Sequence, residues 1–129
     1  MALLLALLLA AAAADVAVSG DLARFSPDVI KAADFAISAQ NRMSNYPYAY
    51  KVMSVLSDTA QIYPPARVKY SMVVEVGETA CKNTQSLKLS DCVLQNLPNT
   101  KTMTCSFVVL AVPRSTFPAP SYLLSNQCN

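Results

Sequence analysis

The chain has 129 residues, 10 basic and 8 acidic side chains, four cysteines, and neither histidine nor tryptophan. That length suits one small domain, and a net charge of +2 without a Lys/Arg cluster offers no footprint for nucleic acid. With no histidine and no candidate triad, an enzyme is not expected.

The first segment, Met1 to Ala14, reads MALLLALLLAAAAA and is followed at once by Asp15. It accounts for much of the positive mean hydropathy. A bilayer span takes about 20 apolar residues, so this run is too short to cross. It reads instead as a signal peptide, residues 1–14, with cleavage near residues 14 to 17. No second apolar run is long enough to span, so the mature part is expected to be secreted, extracellular and without a membrane partner. All four cysteines lie in that part. An even number in an oxidising compartment reads as two disulfides, with three pairings open. No pair has close CxxC spacing, so neither a metal nor another cofactor is expected.

Asp15 to Phe25 is a short leader that holds Gly20, one of two glycines. Ser26-Pro27-Asp28 then carries three helix-start signals: a capping hydroxyl, a proline suited to the first position, and an acid at the positive end of the dipole. Val29, Ile30, Ala33, Ala36, Ile37 and Gln40 recur at three- and four-residue intervals and define the inward side. Phe35, Ala39 and Met43 widen that stripe. Lys31, Asp34, Ser38, Asn41 and Arg42 fall on the opposite side. Pro47 disfavours helix at Tyr46, so the helix is expected to end near Ser44.

Tyr48 to Ile62 has strand character, with Tyr48, Tyr50 and Val52 alternating before Val55 and Leu56. Ser57-Asp58-Thr59 marks an expected bulge. The alternating tyrosines, with Tyr46 before them, read as core-packing positions rather than as a binding patch. Pro64-Pro65 cannot lie inside a ladder and is expected at a hairpin tip, either as a surface turn or as a rigid recognition loop. The clearest strand is Val68 to Cys81, VKYSMVVEVGETAC. Val68, Tyr70, Met72, Val74 and Val76 occupy every second position, so a pleat puts all five on one face. The other face carries Lys69, Ser71, Val73, Glu75 and Gly77. Lys82 to Asn99 is a polar connection, Thr102 to Val112 another strand, Pro113 to Pro120 a second Pro-rich loop, and Ser121 to Cys128 a last strand. One helix followed by four strands without Gly-rich crossovers implies an α+β domain, with one long helix packed across an antiparallel sheet.

Three stretches resemble the cystatin family, in its secreted, single-domain, two-disulfide form. VIKAADFAISAQNRMSN is similar to the family's helix. YSMVVEVGETAC is similar to its Y-x-x-x-V-E-x-G-x-T-x-C strand, and CSFVVLAVP to its C-S-F-x-x-x-x-V-P strand. The likeness covers about residues 20–128. It implies the pairings Cys81–Cys92 and Cys105–Cys128, each worth roughly 3 kcal/mol in the chain-entropy model.

The resemblance also implies a function. Such proteins inhibit papain-like cysteine peptidases reversibly with a wedge of three parts: an N-terminal trunk ending at Gly, a first hairpin bearing Q-x-V-x-G, and a second bearing Pro-Trp. On that pattern the protease-binding residues here are Gly20; Gln61, Ile62, Tyr63, Pro64 and Pro65; and Pro113 with Arg114. Three departures stand out. Tyr63 replaces Val, Pro65 replaces Gly, and Arg114 replaces Trp. Proline fixes φ and lacks an N–H where glycine permits close approach. Arg114 removes a flat apolar anchor and adds a charge to desolvate. Two extra residues before Tyr70 also imply a longer hairpin tip. Weakened or altered inhibition of papain-like enzymes is therefore expected from a monomer. Some members also inhibit legumain, an asparagine-specific peptidase, through Ser-Asn-Asp after the helix. Ser44 and Asn45 match that segment and Tyr46 replaces Asp, although Asn also recurs at helix C-termini for structural reasons. The alternative class is a non-inhibitory extracellular interaction protein, because a fold does not fix a function.

Overall fold

The computed structural model describes residues 25–96, 100–112 and 121–129. The segment 1–14, expected to be a signal peptide, and the candidates Gly20, Pro113 and Arg114 lie outside them. Within the described residues the chain forms helix α1 (Pro27–Met43), then strands β1 (Tyr48–Tyr63), β2 (Arg67–Lys82), β3 (Thr102–Ala111) and β4 (Tyr122–Cys128), and a 3-10 turn at Leu89–Asp91. All neighbouring strands are antiparallel, in the order β1-β2-β3-β4.

The helix starts for the reasons its sequence supplies. Ser26 Oγ accepts the Val29 amide at 3.3 Å, Pro27 opens the first turn and Asp28 lies within it. At the other end Ser44 is extended and returns its amide to the Asn41 carbonyl. One prediction about the helix needs correction. Its buried residues are Val29, Ala32, Ala33, Ala36, Ile37, Ala39 and Asn41, while Ile30 and Gln40 are half-buried and Met43 is 63% exposed. The inward face is thus turned toward Asn41, an amide expected on the solvent side.

The sheet supplies the other half of the core as cross-strand rows. Val52, Val76 and Met103 form one row and Val55, Val74 and Cys105 the next; in the two rows beyond, Met72 with Phe107 and Tyr70 with Val109 are buried, while their β1 partners Asp58 and Ala60 are not. Tyr70, Met72, Val74 and Val76 are buried and Val68 packs against them, as period two requires. Each full burial of a Val, Ile or Phe contributes about 1.5–3 kcal/mol. On the opposite face Gly77 is not a solvent position. A Cβ there would lie 2.7 Å from Met53 Sδ and 2.9 Å from Leu94 Cδ2, so the missing side chain lets both lie on the strand.

β1 carries register shifts between Tyr48 and Tyr50, Val52 and Ser54, and Val55 and Ser57. The expected bulge therefore lies just N-terminal of Ser57 and has one predecessor in β1, between Val52 and Ser54, while at Tyr48/Tyr50 the extra residues lie on β2. Extra residues on one strand sharpen its twist, which lets a 16-residue strand curve around a helix. The disulfides are Cys81–Cys92 and Cys105–Cys128, the pairing that the resemblance implied.

Candidate functional site

The β1–β2 hairpin runs past the end of the core. From Gln61 to Ala66 every residue is exposed, and Ile62, an inner-row position opposite Val68, is 75% exposed. Pairing continues to Tyr63 and Arg67, leaving Pro64, Pro65 and Ala66 as the turn, with a cis Pro64-Pro65 bond. The added length expected in the tip thus extends the paired arms, and the unpaired turn itself is short. Gln61, Ile62, Tyr63, Pro64 and Pro65 stand together in one projecting ladder. Directly after the turn and opposite Tyr63, Arg67 holds its guanidinium 5.5 Å from the centre of the Tyr122 ring, a cation–π contact reaching to β4.

The other candidate residues occupy the far end of α1. Ser44 ends the helix and is half-buried; Asn45 beside it is exposed. The turn that carries Asn45 is tied on both sides. Ser44 Oγ donates to the Asn41 carbonyl at 3.1 Å and accepts the Tyr46 amide at 3.3 Å. Tyr46 is anchored through its ring, which meets Tyr50 edge-on at 4.9 Å. Its hydroxyl accepts from Gln40 Nε2 at 3.2 Å and approaches Met103 Sδ at 4.0 Å. Tyr46 and Tyr50 therefore serve packing, in line with the reading of the tyrosines as core positions.

Asn41 is the residue that periodicity missed. Its side chain donates to the Tyr50 carbonyl at 2.8 Å and accepts the Tyr50 amide at 3.0 Å. An amide is the one side-chain group that matches a peptide's donor and acceptor at once, so Asn41 docks on β1 as a further strand would. The only cue in the sequence was a good hydrogen-bonding residue near the helix end. Its partner lies nine residues on and leaves no periodic trace.

Electrostatics at these places are modest. Burial, helped by Glu78 and then Tyr46, pushes the Tyr50 phenol up and keeps it protonated. Burial also raises the Asp34 carboxyl, opposed by Lys51, whose ammonium donates to the Cys92 carbonyl at 2.9 Å. Asp58 is raised by burial alone, and its Oδ1 has no hydrogen-bond partner. Its row mates Met72 and Phe107 explain the desolvation. Among the described residues no group of His, Cys, Asp or Glu side chains is arranged to hold a metal ion, and no helix is long and apolar enough to cross a membrane. What these two places present to solvent is a projecting, largely apolar tip and the Asn45 carboxamide.

Comparison with known proteins adds to this geometry. The family model described as "Cystatin domain" matches residues 21–114. Cystatin-2 of Crotalus adamanteus is 35% identical over 92 residues, which are 70% of this chain and 65% of that protein. Human cystatin-C is 37% identical over 86 residues, 66% of this chain and 57% of that protein. The chain thus spans less than two thirds of the length of either relative. Among solved structures, dimeric human cystatin F superposes with a TM-score of 0.71 at 28% identity, covering 81% of this chain and 79% of that one.

Proposed function

The chain belongs to the cystatin family, whose members are known as inhibitors of cysteine peptidases rather than as enzymes, and from that premise we propose that it is a secreted, monomeric inhibitor of such peptidases. The observation that carries this reading is the bare hairpin. Gln61 to Ala66 is exposed throughout while the scaffold behind it is fully packed. A preformed tip enters a cleft without the ordering cost that weakens flexible ligands. Ile62, Tyr63, Pro64 and Pro65 supply the apolar contact, joined by Gly20 on the trunk and by Pro113 and Arg114 on the second loop. No peptide bond is then held in attack geometry, so the contact is reversible and the inhibitor survives it. Against papain-like enzymes the contact is weakened, since Pro65 and Arg114 stand where Gly and Trp would give close approach and a flat anchor.

A second reading is favoured by the turn after α1. Asn45 projects from a segment bound on both sides, with Ser44 capping the helix and Tyr46 packed on Tyr50. An asparagine-specific peptidase reads the carboxamide, and a pocket built to hydrogen-bond that group rejects analogues lacking it. Legumain is therefore the second target, reached through Ser44 and Asn45 at the C-terminal end of the helix. The experiment is a titration of the purified protein against papain, several lysosomal cathepsins and legumain, repeated with Asn45→Ala. Legumain inhibition is expected, abolished by Asn45→Ala, with papain inhibition weak and unaffected by that change. Inhibition of none of them at micromolar protein would leave the extracellular interaction module as the reading.

A further inference from the structure

We infer that Asn83 is the positioning residue for the Asn45 arm, an inference that rests on the legumain reading above. The chain must leave α1 at Ser44, present Asn45 and enter β1 just after Pro47. Ser44 and Tyr46 are held on either side, but Asn45 between them is exposed and Pro47 has no amide to donate, so the step into β1 needs a further tie. The fixing group comes from far along the sequence. Asn83 Nδ2 donates to the Asn41 carbonyl at 2.9 Å and to the Tyr46 carbonyl at 3.1 Å. Its main-chain amide donates to the Pro47 carbonyl at 3.1 Å. One residue thereby ties a carbonyl ahead of Asn45 to the two that follow it.

The residue type matters. A primary amide carries two N–H donors on one nitrogen, and here the acceptors are two carbonyls on either side of the turn. Aspartate has the same shape but offers only oxygens, so it would set negative charge against both carbonyls. Asn83 is itself held firmly. It follows Lys82, which pairs with Tyr48, and lies two residues after Cys81, which is bridged to Cys92. The Asn41 carbonyl also takes the Ser44 hydroxyl and amide, satisfying one of the carbonyls a helix leaves open at its end. The Asn45 arm is thus braced from β2 and a disulfide as well as from the helix that precedes it. Support of this kind holds a recognition side chain in one geometry before the partner arrives.

The test compares Asn83→Ala, Asn83→Asp and Asn45→Ala with the wild type in the full secreted chain. Legumain inhibition, amide hydrogen exchange at Asn45 and Tyr46, and the urea midpoint are measured on each. Asn83→Asp is expected to weaken legumain inhibition at least tenfold, with Asn83→Ala weaker by several fold. Exchange at Tyr46 should rise at least tenfold in both, under conditions where both remain folded by the urea measurement. A purely structural role would lower the urea midpoint and leave the inhibition constant of the folded protein unchanged, and that result overturns the inference. If wild type does not inhibit legumain, the reading beneath fails, and exchange at Tyr46 alone decides the role of Asn83. Unchanged exchange in both variants would then end it.

Discussion

Replacing Asn41 by alanine removes both hydrogen bonds that join the end of α1 to β1. The distances, 2.8 and 3.0 Å, are those of well-formed bonds, and both Asn41 and Tyr50 are buried, at 5% and 7% exposure. A typical bond of this kind contributes about 1 kcal/mol net, but a buried partner left unsatisfied costs about 1–3 kcal/mol. Here one substitution strands a donor and an acceptor on the same residue. A loss of about 2–4 kcal/mol is expected, a large share of the 5–15 kcal/mol typical of a domain. Urea unfolding at pH 7, followed by far-ultraviolet circular dichroism, measures it directly. The m-value should be unchanged, because the surface exposed on unfolding is the same. Asn41→Asp should cost at least as much, since it keeps the acceptor for the Tyr50 amide but sets a carboxylate oxygen against the Tyr50 carbonyl. The reasoning fails if Asn41→Ala loses less than about 1 kcal/mol, which would mean that water replaces the amide at that edge.

Three further outcomes are expected. Asp58→Asn should raise stability at neutral pH: burial lifts the native carboxyl above 3.8, so its favourable contribution is complete only below the unfolded value and is lost as pH rises through the native one. The urea midpoint at pH 7 should therefore rise relative to that at pH 3 in the variant, and an unchanged difference would remove Asp58 from the account. Deleting the Cys105–Cys128 bridge should cost about 0.6 kcal/mol more than deleting Cys81–Cys92, since the loop it closes is about twice as long; the reverse order in paired Cys→Ala variants would mean that native contacts around Asn83 outweigh chain entropy. Arg114→Trp should tighten papain binding by about 1–3 kcal/mol if the missing aromatic is the main defect, whereas no change in the inhibition constant would point to the Tyr63–Arg67 tip.

Most of the architecture could be read from short-range pattern. Ser26-Pro27-Asp28 begins the helix where it should, because capping, φ and dipole act within one turn. Val74 and Val76 mark the inner face of β2 because a pleat repeats every two residues. Pro64-Pro65 marks the turn because proline cannot donate to a ladder. What pattern could not supply is what depends on a distant partner. Asn41 looked like a surface amide until Tyr50 came to meet it. Gly77 looked solvent-facing because nothing local announces that Met53 and Leu94 lie over it. The register shifts in β1 displaced the alternation after Val52, so the expected bulge near Ser57 was one of two in that strand. Asn45 and the tip residues became candidates through resemblance alone, and their surroundings, Asn83 above all, required the fold.

The outer half of β1 bears on how such a protein changes over evolutionary time. From Leu56 to Tyr63 the strand adds no residue to the buried core; Asp58 alone is half-covered and the rest are exposed. Substitutions at exposed positions usually change stability by less than about 0.5 kcal/mol. The tip can therefore drift from one sequence to another without passing through unfolded intermediates in sequence space. Tyr63 and Pro65, in positions where relatives of the resembling pattern carry Val and Gly, are changes the scaffold accommodates at little thermodynamic risk. The same latitude makes the Pro64–Ala66 turn a natural place to graft a foreign peptide, with the helix, Phe107 and both disulfides left to fold the domain around it.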